Sequence, residues 1–463
     1  MVQRYVIIGG GAAGIGAAGA IKQQDPDAEP HVFTEYEDAA YSPCGIPYVH
    51  GREIDSFARL FLQEKEFYEE MGIRIKYGMR AVRIDLEAAD VEVAPVQDVP
   101  FDTRSRAEQP GGKGERVPFD KLILATGFDY QDPGIPGSDL GGLYYVKNIR
   151  RAMEWDKILD DVKSAVVLEA SPLGLEMVNA MAHRGLDTHL VDSLPWALAE
   201  VADPDIMQPV QDSWTEMGVH MHFNTKAESF IGDGHVRALA TTQGEIPADL
   251  VVVCSDKRPN NGLARDAGLR LGSTGGVIVD ERMATSVENV YAAGDAAEIP
   301  HGLTQLPLQG LSGSHAYAQG KVAGTNAAGG ERVYRPVHVP WAMVAGKWMI
   351  GGVSFGETTA TALGLPFVMG VGEGISRARY YPEMKKIRVK LLAQPGSLEL
   401  IGAQMVGGEG IKERADFLAM CCRKGVTLGD LGTMENVYSP PIGALVEPIA
   451  TAAQQGLSEL APS

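Results

Sequence analysis

Cysteine is scarce in this chain: four stand among 463 residues, and two of those, Cys421 and Cys422, are adjacent. So few thiols exclude the disulfide framework of a small secreted fold. None lies close enough to Cys44 in sequence for a C-x-x-C pair, so an internal redox disulfide of that kind is excluded as well. Basic residues are in deficit. Lys and Arg number 41 against 60 Asp and Glu, a net charge of −19, which argues against a nucleic-acid partner, whose phosphates demand clustered cations. Long apolar runs are missing too. None reaches the roughly 18 residues of a membrane span, and no basic-then-apolar leader precedes the first apolar run. The expectation is a cytoplasmic protein without a membrane partner, and no metal ligand is assigned.

Glycine, by contrast, is abundant at 55 residues, pointing to tight turns or nucleotide loops. A chain of this length exceeds one compact core, so two or three domains are expected. The opening "RYVIIGGGAAGIGAAGAIKQQDPDAEPHVFTE" reads as an apolar strand, a glycine turn, an Ala-rich helix and a second strand ending at Glu35. Gly9, Gly11 and Gly14 form G-x-G-x-x-G in the context that motif needs, strand before and helix after. Gly9 permits the sharp turn, Gly11 lets backbone approach a pyrophosphate, and Gly14 lets helix and strand pack closely. The helix N-terminus offers N–H groups to the phosphates. Glu35, 24 residues after Gly11, is placed to accept from ribose hydroxyls.

That turn alone does not separate FAD from NAD. "ENVYAAGDAAE" (Glu288 to Glu298) sets Gly294 and Asp295 after a short apolar strand and resembles the second FAD motif of two-dinucleotide flavoproteins, in which the aspartate holds the ribityl chain. "KLILATGFDY" resembles the A-T-G segment that closes such an FAD domain, here with Thr126 and Gly127. With "SPCGIPY" (Ser42 to Tyr48) added, the whole chain resembles the pyridine nucleotide–disulfide oxidoreductase family. Within it the likeness is to the branch with a single active-site cysteine, which holds coenzyme A disulfide reductases, NADH oxidases, NADH peroxidases and persulfide reductases. The resemblance implies an α/β fold with two Rossmann-like dinucleotide-binding domains, one for FAD and one NAD-type, and an α+β C-terminal dimerisation domain. The FAD domain is expected over residues 1–147 and 263–335, the NAD-type domain over 148–262 and the dimerisation domain over 336–463, in a homodimer.

The same resemblance assigns Cys44 as the redox thiol over the flavin. A lone thiol must form a mixed disulfide with a small thiol, or cycle as a sulfenic acid. Its reactivity needs the thiolate, so a lowered pKa is expected there. Tyr438 matches the family tyrosine that reaches toward the cysteine from the other subunit; packing and catalysis are both open for it. Cys254, Cys421 and Cys422 are read as structural.

The second nucleotide turn departs from the family pattern. "SAVVLEASPLGLEMVNAMAHRGLDTHLVDS" (Ser164 to Ser193) keeps strand, helix and a second strand ending in Asp192. The G-x-G-x-x-G positions, however, are Glu169, Ser171 and Gly174. The glycine that packs helix on strand survives, and the two that face the phosphates do not. Glu169 adds a charge that repels a pyrophosphate. Ser171 and Pro172 are good N-cap and N1 residues, so the helix should persist. Pro172 also takes the place of an aromatic gate, and Asp256 replaces a family glycine in "VVVCSDKRPN".

Three readings stand. In the first, an NAD(P)H-dependent reductase sends electrons through FAD and Cys44 to a small-molecule disulfide, persulfide or peroxide. In the second, FAD and Cys44 work, but a protein such as ferredoxin or flavodoxin, or a dithiol, supplies the electrons. In the third, the chain is a flavin-bearing subunit without turnover. Coenzyme A as the thiol is open: Lys22 sits where relatives hold its phosphates, but Gln23 and Gln63 replace basic residues, with Arg59 and Lys65 nearby. The stretch from Ala94 to Pro118 reads as a hairpin with a long polar tip.

Overall fold

The computed structural model describes residues 3–96, 114–255 and 257–460. Two parallel five-stranded sheets and one antiparallel five-stranded sheet organise them. In the first sheet the strands run in the order Val290–Ala292, Lys121–Leu124, Tyr5–Ile8, His31–Phe33 and Arg74–Lys76. In the second they run His220–His222, Asp187–Val191, Ser164–Leu168, Leu250–Val253 and Leu143–Tyr144. The central strands are continuous apolar runs, Tyr5–Ile8 and Leu250–Val253 being buried throughout, as strands covered by helices on both faces must be.

Each parallel sheet is followed by a three-stranded antiparallel meander, Met79–Asp85, Asp90–Pro95 and Glu115–Pro118 after the first and Ala227–Gly232, Val236–Thr241 and Gly244–Pro247 after the second. The chain thus builds one nucleotide-type architecture twice. Asp90–Pro95 and Glu115–Pro118 pair as hairpin arms, while the expected tip at 97–113 lies outside the described residues. The two halves interlock more than a cut at 147/148 allows. Leu143–Tyr144 already pairs with the second sheet, and Lys257–Pro259 pairs back with Phe128–Tyr130 beside the first.

Two helices fasten the first unit. Ala12–Gln24 and Gly313–Ala327 cross at glycines, and a Cβ on Gly320 or Gly324 would lie 2.0 or 2.2 Å from a carbonyl oxygen of Ala13 or Ala17. Only glycine lets these backbones approach so closely. The third sheet, Trp341–Ala345, Trp348–Ser354, Leu400–Gly407, Lys386–Ala393 and Val368–Ile375, buries one face under helices Ile411–Lys424 and Pro448–Ser458.

Candidate active site

The first cradle is built as its glycines demand. Gly9 has φ +113°, and a Cβ there would stand 2.1 Å from the Ala125 carbonyl oxygen. A Cβ on Gly14 would lie 1.8 Å from the Gly9 oxygen, so helix and strand close on each other only with glycine. Gly11 meets nothing within 4 Å and caps the helix without a side-chain hydrogen bond, leaving an open space at the helix N-terminus. Glu35 is mostly buried with its carboxylate held 3.0 Å from Arg80 Nε. Thr126 and Gly127 are stitched to Asn260 by three hydrogen bonds of 2.7 to 2.9 Å. Gly294 turns at φ +75° and donates its N–H to Gln319 Oε1 at 2.8 Å. Asp295 follows it, pushed up by burial and drawn back by Lys257 and Lys147. An uncapped helix end, a glycine turn free of side chains and acids at both ribose-type positions fit an FAD.

Cys44 stands in a single 3-10 turn, Pro43–Gly45, that runs into helix Ile46–His50. It is the one solvent-exposed thiol among the four. Protein nevertheless crowds its other sides: burial raises its pKa first, then Glu176 and Asp295, while Lys257 opposes them. The expected lowering is therefore reversed for the chain's own groups, because burial and the two carboxylates outweigh Lys257. The other three are also raised, Cys254 furthest, Cys421 to about 11 and Cys422 to about 12, all mainly by burial. These are inert thiols.

Glu176 was not singled out from the sequence. It rises between fully buried Leu175 and Met177 on helix Pro172–His183, and burial lifts its carboxyl to about 7. The Tyr48 hydroxyl, one turn after Cys44, donates to its Oε1 at 3.2 Å. The helix of the second cradle is packed directly against helix Ile46–His50, with Gly51 fitted against Ala180. A lone acid in the otherwise apolar run "PLGLEMVNAMA" was the available signal.

The second cradle keeps the shape of the first and alters its chemistry. The Glu169 N–H reaches the Val191 carbonyl at 2.8 Å just as the Gly9 N–H reaches that of Phe33, so Glu169 holds the glycine position, at φ +76°. Ser171 Oγ accepts from the Gly174 N–H at 3.3 Å, so the helix end is capped by its own side chain. Gly174 keeps its packing role, a Cβ there falling 2.0 Å from the Glu169 oxygen. Asp192, the acid that ends the second strand, does not face a ribose position. It is buried, with its two oxygens taking the Ala170 and Leu194 N–H groups at 2.8 Å each. Hydrogen-bond register explains the difference: the Asp192 N–H bonds the next strand as the Thr34 N–H does in the first sheet, so the counterpart of Glu35 is Ser193. These residues do not fit a nicotinamide dinucleotide bound in the usual manner. Asp256 lies outside the described residues.

Residues 3–323 match the family model for pyridine nucleotide-disulphide oxidoreductases, and 341–448 match that family's dimerisation domain. The chain belongs to the pyridine nucleotide–disulphide oxidoreductase family. It is an FAD-dependent oxidoreductase of that family. It is 32% identical over 460 residues to a Methanocaldococcus jannaschii protein named NADH oxidase, covering 99% of both chains. With the NAD(P)H coenzyme A polysulfide/persulfide reductase of Pyrococcus horikoshii it shares 29% identity across 98% of each. The solved structure of an NAD-dependent persulfide reductase from A. fulgidus superposes with a TM-score of 0.92 at 28% identity, over 99% of this chain and 84% of that one.

Within this family member, Tyr438 lies on an exposed face of the third unit with its hydroxyl 3.2 Å from that of Tyr380. The basic residues considered for coenzyme A are engaged locally. Lys22 donates to the carbonyls of Pro26 and Ala28, Lys65 to that of Glu37 at 3.1 Å, and Arg59 pairs with Asp55.

Proposed function

We propose that this flavoprotein reduces a small-molecule disulfide or persulfide through Cys44, with electrons that do not enter through a nicotinamide seated at Glu169–Gly174. The observation that carries the reading is the exposed Cys44 thiol beside Tyr48 and a carboxyl that titrates near neutrality. Gly9, Gly11, Gly14, Glu35, Gly294 and Asp295 would hold FAD, which when bound would supply two electrons to the thiol site. The Cys44 thiolate attacks one sulfur of the substrate, the substrate S–S bond breaks, and the departing thiolate takes a proton. Two electrons then cleave the mixed disulfide into the Cys44 thiolate and the second thiolate, which takes a proton from solvent as it leaves. Glu176 is the proton store for the attack on substrate: it takes the Cys44 proton as the thiolate forms and returns it to the first leaving sulfur. Names of relatives that act on sulfur species support the substrate class, and coenzyme A is the carrier those names suggest.

The relatives' nicotinamide dependence supports a second reading, in which NADH or NADPH reduces the flavin despite the altered turn. Anaerobic titration decides between them. On the proposal, millimolar NADH or NADPH leaves the oxidised flavin band intact, whereas dithionite or a reduced ferredoxin bleaches it; stoichiometric bleaching by nicotinamide establishes the second reading. Cys44→Ser should abolish reduction of coenzyme A disulfide and of persulfides while keeping the flavin, and unchanged turnover would overturn the thiol mechanism.

A further inference from the structure

Strands Asp187–Val191 and His220–His222 run parallel at the outer edge of the second sheet, the latter being the edge strand. Their register sets His189 beside His220 and Val191 beside His222. Because side chains alternate along a strand, Asp187 and His189 share one face. Asp187 Oδ1 stands 3.2 Å from His220 Nε2, and its Oδ2 stands 3.5 Å from His189 Nε2. The ligand atoms of all three residues lie within 4.8 Å of one another. The His189 and His220 rings stack at 4.8 Å, and His189 Nδ1 lies 3.1 Å from His222 Nε2.

We propose that Asp187, His189 and His220 form a zinc-type divalent cation site on this edge, apart from the thiol chemistry. Zinc takes imidazole nitrogen and carboxylate oxygen at 2.0–2.1 Å in a tetrahedron, which spaces its ligands about 3.3 Å apart. The two carboxylate-to-imidazole separations, 3.2 Å from Oδ1 and 3.5 Å from Oδ2, lie close to that spacing, and a turn of the Asp187 carboxylate sets one oxygen between both imidazoles. The exposed side chains of Asp187 and His220 can turn about their own bonds to close the third edge, and a water completes the tetrahedron. His222 supplies the orienting partner that zinc-bound imidazoles need: in the cation-bound form His189 would donate Nδ1–H across the 3.1 Å contact to His222 Nε2, directing its own Nε2 lone pair at the ion. Without a cation the opposite tautomer, with Nε2–H toward Asp187 and Nδ1 accepting from His222, satisfies the same contacts, so cation binding would switch the tautomer of His189. The consequence is a clip joining the edge strand to its neighbour just before Val191 and His222, whose carbonyls hold the N–H groups of Glu169 and Asp192.

Calorimetric titration of the purified flavoprotein with Zn2+, and Co2+ absorption spectroscopy, test this. One equivalent should bind, with a tetrahedral Co2+ spectrum free of thiolate charge transfer. That equivalent should persist in Cys44→Ser, disappear in His189→Ala/His220→Ala, and weaken at least tenfold in the exposed single variant His220→Ala. Equal binding by the histidine variants, loss in Cys44→Ser, or no binding at submillimolar Zn2+ overturns the site.

Discussion

Cys44 owes its accessibility to the turn at Pro43–Gly45, but its ionisation is decided by residues far away in sequence. Burial and the charges of Glu176 and Asp295 hold the thiol up, and Lys257 is the counterweight. Replacing Glu176 by Gln removes one raising charge, so the alkylation profile of Cys44 should move to lower pH. The two proteins should converge below about pH 7, where Glu176 of the wild type is itself neutral. The same variant has a stability signature. A buried carboxyl raised from 4.5 to about 7 favours the folded state in its neutral form, so the benefit is present below pH 4.5 and lost as pH rises toward 7. Thermal unfolding of the wild type should therefore fall relative to Glu176→Gln across that interval, and parallel curves would show that Glu176 does not titrate as described. Cys44 could be singled out from the sequence because its neighbours form a recognisable run. Glu176 was not, since it meets Tyr48 across 128 residues of chain.

Among elements, the instructive comparison is between the two strand–turn–helix units. In the first, glycine leaves the helix end bare for a ligand; in the second, Ser171 caps the helix and Glu169 occupies a backbone conformation suited to glycine. A bulky residue at φ +76° stores strain of about 1 kcal/mol. Glu169→Gly should therefore stabilise the protein by about that amount in denaturant melts. Combined with Ser171→Gly, it should also open the helix end, so that millimolar NADH bleaches a flavin band it leaves intact in the wild type. If the double variant responds to NADH as the wild type does, the turn is not what limits nicotinamide. The three glycines of the first unit could be read directly, because each answers a local steric demand. Asp192 misled for the complementary reason. Counting residues places an acid near the end of a strand, but only the pairing register tells which residue stands at the ribose position.

For the molecule as a whole, the third unit presents Tyr380, Val437, Ile442, Leu445 and Val446 to solvent, four of them more than 70% exposed. A patch of that kind is covered by a partner surface in a stable protein, and the dimerisation-domain match over 341–448 makes a second copy the expected cover. Light scattering should give the mass of two chains, and Ile442→Asp with Leu445→Asp should give that of one. A wild-type protein running as a single chain would remove the partner subunit from any role at the thiol, Tyr438 included.

The sequence by itself determined the repeated nucleotide-type architecture and the glycine turn of the FAD cradle, because apolar periodicity and obligatory glycines are local constraints written residue by residue. Tertiary structure alone decided the rest. It took Asp192 out of the ribose position, set Glu176 against Tyr48, and stacked His189 on His220 through a parallel register that no spacing of 31 residues announces. Local sterics survive in a one-dimensional reading, whereas register, burial and charge across the fold exist only once the sheets have paired.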